Sequence, residues 1–263
     1  MSDRWQVGSN YEQYIGRWSR AVAREFLHWI ALPGGAHVLD LGCGTGALAS
    51  LALERAGAAR VTGCDRSHGY VSAARAALRG AAAEFTVADA RDLPLRDHAF
   101  DAAISGLVLN FVPKPLTAMR ELRRVVAPGG SVAIYLWDYA GRMALIRKFW
   151  DAAIALDPAA GSLDEARRFP LCAAEPLEAL FREAGLSRVE SRAIDVATIF
   201  RDFDDFWSPF LSGEGPAPGY AMGLSAEQRA ALRERLRATL HARKDGSIVM
   251  TARAWAVKGT TPR

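Results

Sequence analysis

The sequence predicts a doubly wound α/β fold with a parallel sheet, and three observations carry the prediction. Short β-type runs alternate with helical patterns from residue 37 to about 137. A glycine-rich turn, Gly42-Cys43-Gly44-Thr45-Gly46-Ala47, directly follows the apolar run VLDL. Three successive runs place an aspartate at or just past their carboxyl ends: Asp40, Asp65 and Asp89. Such alternation implies βαβ units with right-handed crossovers. In these sheets ligands bind beyond the carboxyl ends of the strands, where the three acids fall.

The elements follow in order. Val22, Phe26, Trp29 and Ile30 keep helical spacing, with Ser19 as the N-cap, and Pro33-Gly34-Gly35 ends that helix. HVLDL (37–41) is a strand and GALASLALERAG a helix; RVTGC (60–64) is a strand and SHGYVSAARAALRG a helix. EFTVA (84–88) is a strand, followed by the polar connector RDLPLRDH. FDAAISG (100–106) is a strand, LTAMRELRRVV is a helix stopped by Pro128-Gly129-Gly130, and SVAIYLW (131–137) is a strand.

Beyond Gly141 the alternation lapses. RMALIRKFWDAAIAL is amphipathic, 175–185 is helical, and SRVESRAIDVATI is β-rich. Phe203, Phe206, Trp207 and Phe210 share one helical face that Pro209 should break or kink. Ser225 with Gln228 predicts a capping box, heading a stripe of Leu232, Leu236 and Leu240. SIVMTARAWAV (247–257) alternates as a last strand. The expected organisation is an N-terminal arm and helix (1–36), a ligand-binding core (37–139), a cap that also supplies part of the sheet (140–246), and a final strand and tail (247–263).

Composition narrows the function classes. A chain of 263 residues, 50% hydrophobic and 24% charged, suits one large core rather than two equal domains or extensive disorder. The opening MSDRWQVGSNYEQ lacks the apolar core of a signal peptide, and no apolar run approaches the roughly 20 residues of a membrane helix. Cys43, Cys64 and Cys172 have no metal-ligand spacing and their odd number argues against a disulfide framework, so no metal and a reducing cytoplasm are expected. The net charge of +4 invites a nucleic-acid reading. Only four of the 33 basic residues are lysine, however, and acids interleave the arginines, which describes a solvated surface. No nucleic-acid partner is expected.

The glycine turn fits the dinucleotide fingerprint, so the aspartates must discriminate between ligands. Asp65 lies where an acid meets the ribose hydroxyls of an adenosine cofactor; its alternative is to cap the next helix. Asp40 is more telling. A pyrophosphate about 6 Å from it would be repelled by roughly 3 kcal/mol per unit charge at an effective dielectric of 20. S-adenosylmethionine has no phosphate, and its methionyl end carries an ammonium and a sulfonium, so the sign of the interaction reverses. Asp89 agrees, as an acceptor for adenine's exocyclic amino group. Arg66, beside Asp65, keeps an NADP-dependent oxidoreductase as the alternative, although no Tyr-x-x-x-Lys pair accompanies it. A P-loop is excluded by the missing Gly-Lys-Ser/Thr.

VLDLGCGTG, the strand-end Asp65, Ala-Asp at 88–89 with Ala90, FDAAISGLVLNFV and LRRVVAPGGSVAIYLW together resemble class I S-adenosylmethionine-dependent methyltransferases of the small-molecule, quinone-biosynthesis-like branch. The resemblance runs from His37 to about Tyr139. It implies a seven-stranded sheet whose final strand inserts antiparallel. It further implies cofactor contacts at Asp40, Gly42, Gly44, Gly46, Asp65, Asp89 and Ala90, with backbone near Ser105 meeting the methionyl group. Asn110 stands where many relatives carry histidine. YEQYIGRWSR resembles N-terminal arms that close over the cofactor, which assigns Arg17 to the methionyl carboxylate and Tyr14 to the sulfonium; packing of the first helix is the alternative for both.

Methyl transfer by in-line displacement needs alignment more than catalytic groups. No catalytic residue is therefore assigned: His37 starts a strand on the far side of the sheet, His68 lies early in the helix after the second strand, His98 is in a connector, and His28 and His241 are on helices. Asp138 and Tyr139, past the fifth strand, are placed to reach a substrate or to shape a turn. The aromatics of 200–210, Trp207 among them, line either an apolar acceptor pocket or the core of the cap. The segment SGLVLNFV lacks the Asn/Asp-Pro-Pro-Tyr/Phe of nucleic-acid amino-methyltransferases, which favours a small, partly apolar acceptor. A non-catalytic cofactor-binding protein is the remaining alternative.

Overall fold

In the computed structural model, which describes residues 16–213 and 215–263, α1 (Arg17–Ile30) precedes β1 (His37–Leu41), α2 (Ala47–Arg55), β2 (Arg60–Asp65), α3 (His68–Ala77) and β3 (Ala83–Val87). After a connector come β4 (Phe100–Gly106), α4 (Pro115–Val125) and β5 (Val126–Trp137). Then follow α5 (Ala144–Leu156), α6 (Glu165–Arg168), α7 (Ala174–Glu183), β6 (Ser187–Phe200), α8 (Phe203–Trp207), α9 (Pro216–Gly223), α10 (Ala226–Thr239) and β7 (Ile248–Thr260). The seven strands form one sheet in the order β3-β2-β1-β4-β5-β7-β6, with the last strand antiparallel. The pairs β1–β2, β1–β4, β2–β3 and β4–β5 are all parallel. The order reverses at β1–β4, so the turns after these two strands meet at the switch point where such sheets bind ligands.

The chain divides into two compact units. The first holds 20–136, 171–194 and 254–263. Its strands are apolar because both faces are covered: Val38, Leu39, Ala102, Ile104 and Val132 are fully buried. Helix α4 shows the complementary pattern, burying Ala118, Met119, Leu122 and Val125 on one stripe. Its Arg124 pairs with Glu121 and Asp97 and donates to the carbonyls of Leu93 and Leu95, tying down the connector before β4. At the outer strand β3, Ala82 O accepts from Val61 of β2, so the two-residue alternation turns the carbonyl of Phe85 to the open edge. Arg75 covers that carbonyl with Nε at 3.1 Å and Nη2 at 2.6 Å.

The second unit holds 137–170 and 195–253, with 16–19. Aromatic packing builds it: Phe149 stacks on Phe210 at 4.4 Å, and Trp150 meets Tyr220 at 5.5 Å. Proline 209 does break the aromatic helix, because α8 passes into a 3₁₀ turn over Ser208–Leu211. All four expected aromatics are nevertheless buried, Trp207 included. Beneath them Arg147 grips Asp164 through two hydrogen bonds of 3.1 and 2.8 Å, and the indole N–H of Trp150 donates to the buried Glu165.

Several expectations are corrected. Ser19 lies within α1 rather than capping it, its hydroxyl donating to Gly16 O at 2.8 Å. Pro128-Gly129-Gly130 falls inside β5 as a bulge, where the register jumps from Phe100↔Val126 to Ala102↔Ser131. Leu240 and His241 lie beyond α10, which ends at Thr239. Residues 171–194, which the pattern grouped with the cap, cluster with the first unit.

Burial raises the carboxyl of Glu165 from an ordinary 4.5 to about 7. Its contribution is therefore complete only below about pH 4.5 and is lost as pH rises through about 7. Glu165→Gln keeps an acceptor for the indole and removes the titration. We expect melting curves from pH 5 to 8 to fall less steeply in this variant, by up to about 3 kcal/mol at pH 8. Parallel curves for the two proteins would show that Glu165 does not titrate in the fold.

Candidate functional site

The site grows from the end of β1. Gly42, Gly44 and Gly46 all take positive φ, at +72°, +52° and +88°. Gly42 N–H and Cys43 N–H both donate to Cys64 O, at 2.7 and 3.0 Å, which closes the turn onto β2. A Cβ on Gly42 would lie 2.5 Å from both methyls of Val108, and one on Gly46 would lie 3.0 Å from Leu78. These two glycines let the β4 turn and α3 close in. A Cβ on Gly44 would meet nothing within 4 Å, so this peptide presents open backbone to a ligand.

Asp65 braces the same turn. Its carboxylate accepts from Gly44 N–H at 3.1 Å and from Ser67 N–H at 2.8 Å. The cap of α3 is instead Ser67, whose hydroxyl accepts from Tyr70 N–H. Asp40 differs from every other acid here. It is 1% exposed, and neither carboxylate oxygen has a hydrogen-bond partner among the described residues. Burial and then the charge of Asp65 raise it to about 7; the Ala49 amide opposes this without reaching hydrogen-bond geometry. A buried, unpaired carboxyl is rare unless a ligand completes it.

Asp89 is exposed and clamped by Arg91, which donates from Nε at 2.9 Å, Nη2 at 2.6 Å and its backbone N–H at 2.9 Å. Those bonds hold its carboxyl down at about 2, with a smaller contribution from the nearby charge of Arg66. Ala90 follows, half-buried, and Arg66 is exposed. Ser105 is fully buried and its hydroxyl donates to Leu41 O at 2.7 Å, so its side chain ties β4 to β1. Asn110 sits on a 3₁₀ turn, Leu109–Phe111, with a buried Nδ2 that finds no acceptor among the described residues.

The remaining residues lie in the second unit. Arg17, assigned to a ligand carboxylate, is held by Asp205 at 3.2 and 3.3 Å and lies 4.5 and 4.8 Å over the rings of Trp18 and Phe200. That acidic partner stands 188 residues away in the sequence. Asp138, assigned to substrate, accepts from Gly141 and Arg142 N–H at 3.0 Å each and organises the turn after β5. Tyr139 is buried beside Phe169, and Trp207 packs near Phe210. Tyr14 lies outside the described residues.

Two site features escaped sequence reasoning. Tyr135 lays its phenol over Gly106, where a Cβ would lie 2.5 Å from the hydroxyl. Val108 packs on Gly42 as described. The only signal for either was the pair of glycines, whose partners are distant in sequence.

A family model described as a methyltransferase domain matches residues 39–134. The 2-phytyl-1,4-naphtoquinone methyltransferase of Synechococcus elongatus is 39% identical over 122 residues, 44% of this chain and 51% of that protein. The chloroplastic 2-phytyl-1,4-beta-naphthoquinone methyltransferase of Arabidopsis thaliana is 33% identical over 175 residues, 60% of this chain and 67% of the relative. The chain spans about half the length of the first curated relatives it matches. Among solved structures, phosphoethanolamine N-methyltransferase 2 of Haemonchus contortus, in complex with S-adenosyl-L-methionine, shares the fold with a TM-score of 0.58 at 17% identity, over 97% of this chain and 56% of that one. The [4+2]-cyclase SpnF does so at 0.55 and 21%, over 99% and 98%.

The two kinds of glycine should respond differently to alanine. Gly44→Ala adds only backbone strain, of about 1 kcal/mol or somewhat more. Gly42→Ala also displaces Val108 and should lower the melting temperature further. Val108→Ala in that background should restore part of the loss. Equal losses at the two glycines, with no rescue, would remove the Val108 contact as the reason for Gly42.

Proposed function

We propose, for a chain that belongs to the class I S-adenosylmethionine-dependent methyltransferases, methyl transfer to a small, partly apolar acceptor. The observation that carries the cofactor assignment is Asp40: a buried carboxyl with both oxygens unpaired, beside a glycine turn with open backbone at Gly44. A cation satisfies it, whereas the pyrophosphate of NADP adds like charge to a group that already resists ionising. The residues present fit S-adenosylmethionine. Asp40 would meet the positively charged methionyl end, Gly42, Gly44 and Gly46 would admit it closely, and Asp65 would take the ribose hydroxyls from its place against Gly44. Asp89 and Ala90 would meet adenine, Asp89 by leaving Arg91, and backbone at the end of β4 would meet the methionyl group.

When bound, S-adenosylmethionine supplies an electrophilic methyl group. The chain's part is alignment and exclusion of water, and alignment alone is worth roughly 7–11 kcal/mol of barrier. The names of the naphthoquinone relatives support a ring acceptor. The cyclase neighbour keeps a second reading in view, because this fold also serves chemistry named otherwise. No helix among the described residues is long and apolar enough to cross a membrane. The three cysteines are free and buried, which supports a cytoplasmic setting. With acids interleaved among its arginines, the surface supports a small-molecule partner rather than nucleic acid.

Proton linkage tests the assignment. Asp40 titrates near 7 without a ligand, and a neighbouring cation must lower that value. Calorimetry with S-adenosylhomocysteine at pH 6 should therefore show proton release on binding, fading by pH 8, with affinity rising over the same interval. Asp40→Asn should abolish the release and weaken binding at pH 8 about ten- to a hundredfold. NADP should not bind. Tight NADP binding, with no response to S-adenosylmethionine or S-adenosylhomocysteine, would end this reading.

A further inference from the structure

Past β3 the chain is anchored on both sides of one exposed charge pair. Ala88 N–H donates to Asp65 O at 3.0 Å, and Asp92 N–H donates to Asp89 O at 3.1 Å. Just beyond, Leu93 is buried and its N–H donates to Glu121 at 2.8 Å. The backbone of 88–93 is therefore held without help from the Arg91 side chain. That side chain is 38% exposed, and among the described residues its guanidinium bonds only to Asp89. An ionised carboxylate offers about four acceptor positions, two on each oxygen. Arg91 fills both places on Oδ1, with its backbone N–H and Nε, and Nη2 fills one on Oδ2. A guanidinium fork also draws on the charge of the carboxylate it grips, which leaves the last position a poorer acceptor.

We infer that Arg91 is a specificity-determining residue of the cofactor site: it competes with the cofactor's exocyclic amine for Asp89, so adenosine must open an ion pair to bind. The inference rests on the methyltransferase reading, which seats adenine at Asp89, and adds a regulator to that seat. Exposed charge pairs are weak, so the clamp yields to a ligand. It nonetheless lowers affinity for substrate and product cofactor alike, since both carry the same adenosine, and so favours their exchange between turnovers. Arg91 moderates selectivity as well. A bare Asp89 attracts a 6-amino purine and repels a 6-oxo purine, whereas a clamped one does less of either. Arg66, the other cation near Asp89, acts on it by charge at longer range and blocks no acceptor position.

Calorimetry on the full chain tests this with S-adenosylhomocysteine and its deaminated counterpart, S-inosylhomocysteine, in which an oxygen replaces the exocyclic amine. Arg91→Ala should tighten S-adenosylhomocysteine about two- to fivefold and bind the deaminated compound no better than wild type does. Raising salt from about 20 to about 500 mM screens the clamp, so wild-type affinity for S-adenosylhomocysteine should approach that of the variant. In an Asp89→Ala background, where the contested acceptor is gone, the arginine substitution should change nothing. An Arg91→Ala protein that binds S-adenosylhomocysteine no more tightly than wild type would overturn the inference. So would an equal gain for both compounds, or a gain that persists without Asp89. If the wild type fails to bind S-adenosylhomocysteine in the first place, the underlying reading falls instead.

Discussion

A buried carboxyl without a partner organises the carboxyl edge of this sheet. Asp40 lies one residue before the end of its strand in an apolar setting, with Asp65 close enough to oppose its ionisation, and the turn beyond it is drawn tight by two amides on Cys64 O. Asp65 is excused from equal strain because Gly44 and Ser67 donate to it. One acid thus stabilises the loop while the other is left wanting a positive charge. The glycines follow from that geometry, since each either admits a neighbour or leaves the backbone open. Removing the demand at Asp40 would leave the loop's conformation without an evident purpose.

Much of this was legible in the sequence, and the reason is local. Alternating β and helical periods, the glycine turn and strand-end acids are set by residues within a few positions of one another, so their pattern survives in one dimension. The capping box of Ser225 and Gln228 is of this kind and is present in the structure. Pairings across the chain were not legible. Nothing near Arg17 announces Asp205, and nothing near Gly106 announces Tyr135. Asp138 was open for a related reason: a carboxylate past a strand suits a ligand or a turn, and the one-dimensional pattern does not show the amides of Gly141 and Arg142 that donate to it.

The second unit repeats the theme with a different solution. Asp164 and Glu165 are neighbours in sequence and both buried, yet Arg147 neutralises the first while the second is lodged against an indole with its ionisation opposed by burial. Adjacent acids cannot both be ionised cheaply in an apolar surrounding, and pairing only one of them resolves the conflict. The aromatic residues around Trp150 exclude the water that would otherwise solvate both. Sequence alone shows two acids at a helix start, a pattern that ordinarily marks an exposed N-terminus.

Strand β3 is the outermost member of its side of the sheet, and outermost strands present a template onto which another extended chain can polymerise. Arg75 occupies the Phe85 carbonyl at the centre of that strand and sets a positively charged side chain across it. An approaching strand would have to displace both guanidinium bonds before pairing there. One arginine, projecting from a helix that also closes on the glycine turn, thereby makes the border of the sheet a poor seed for aggregation.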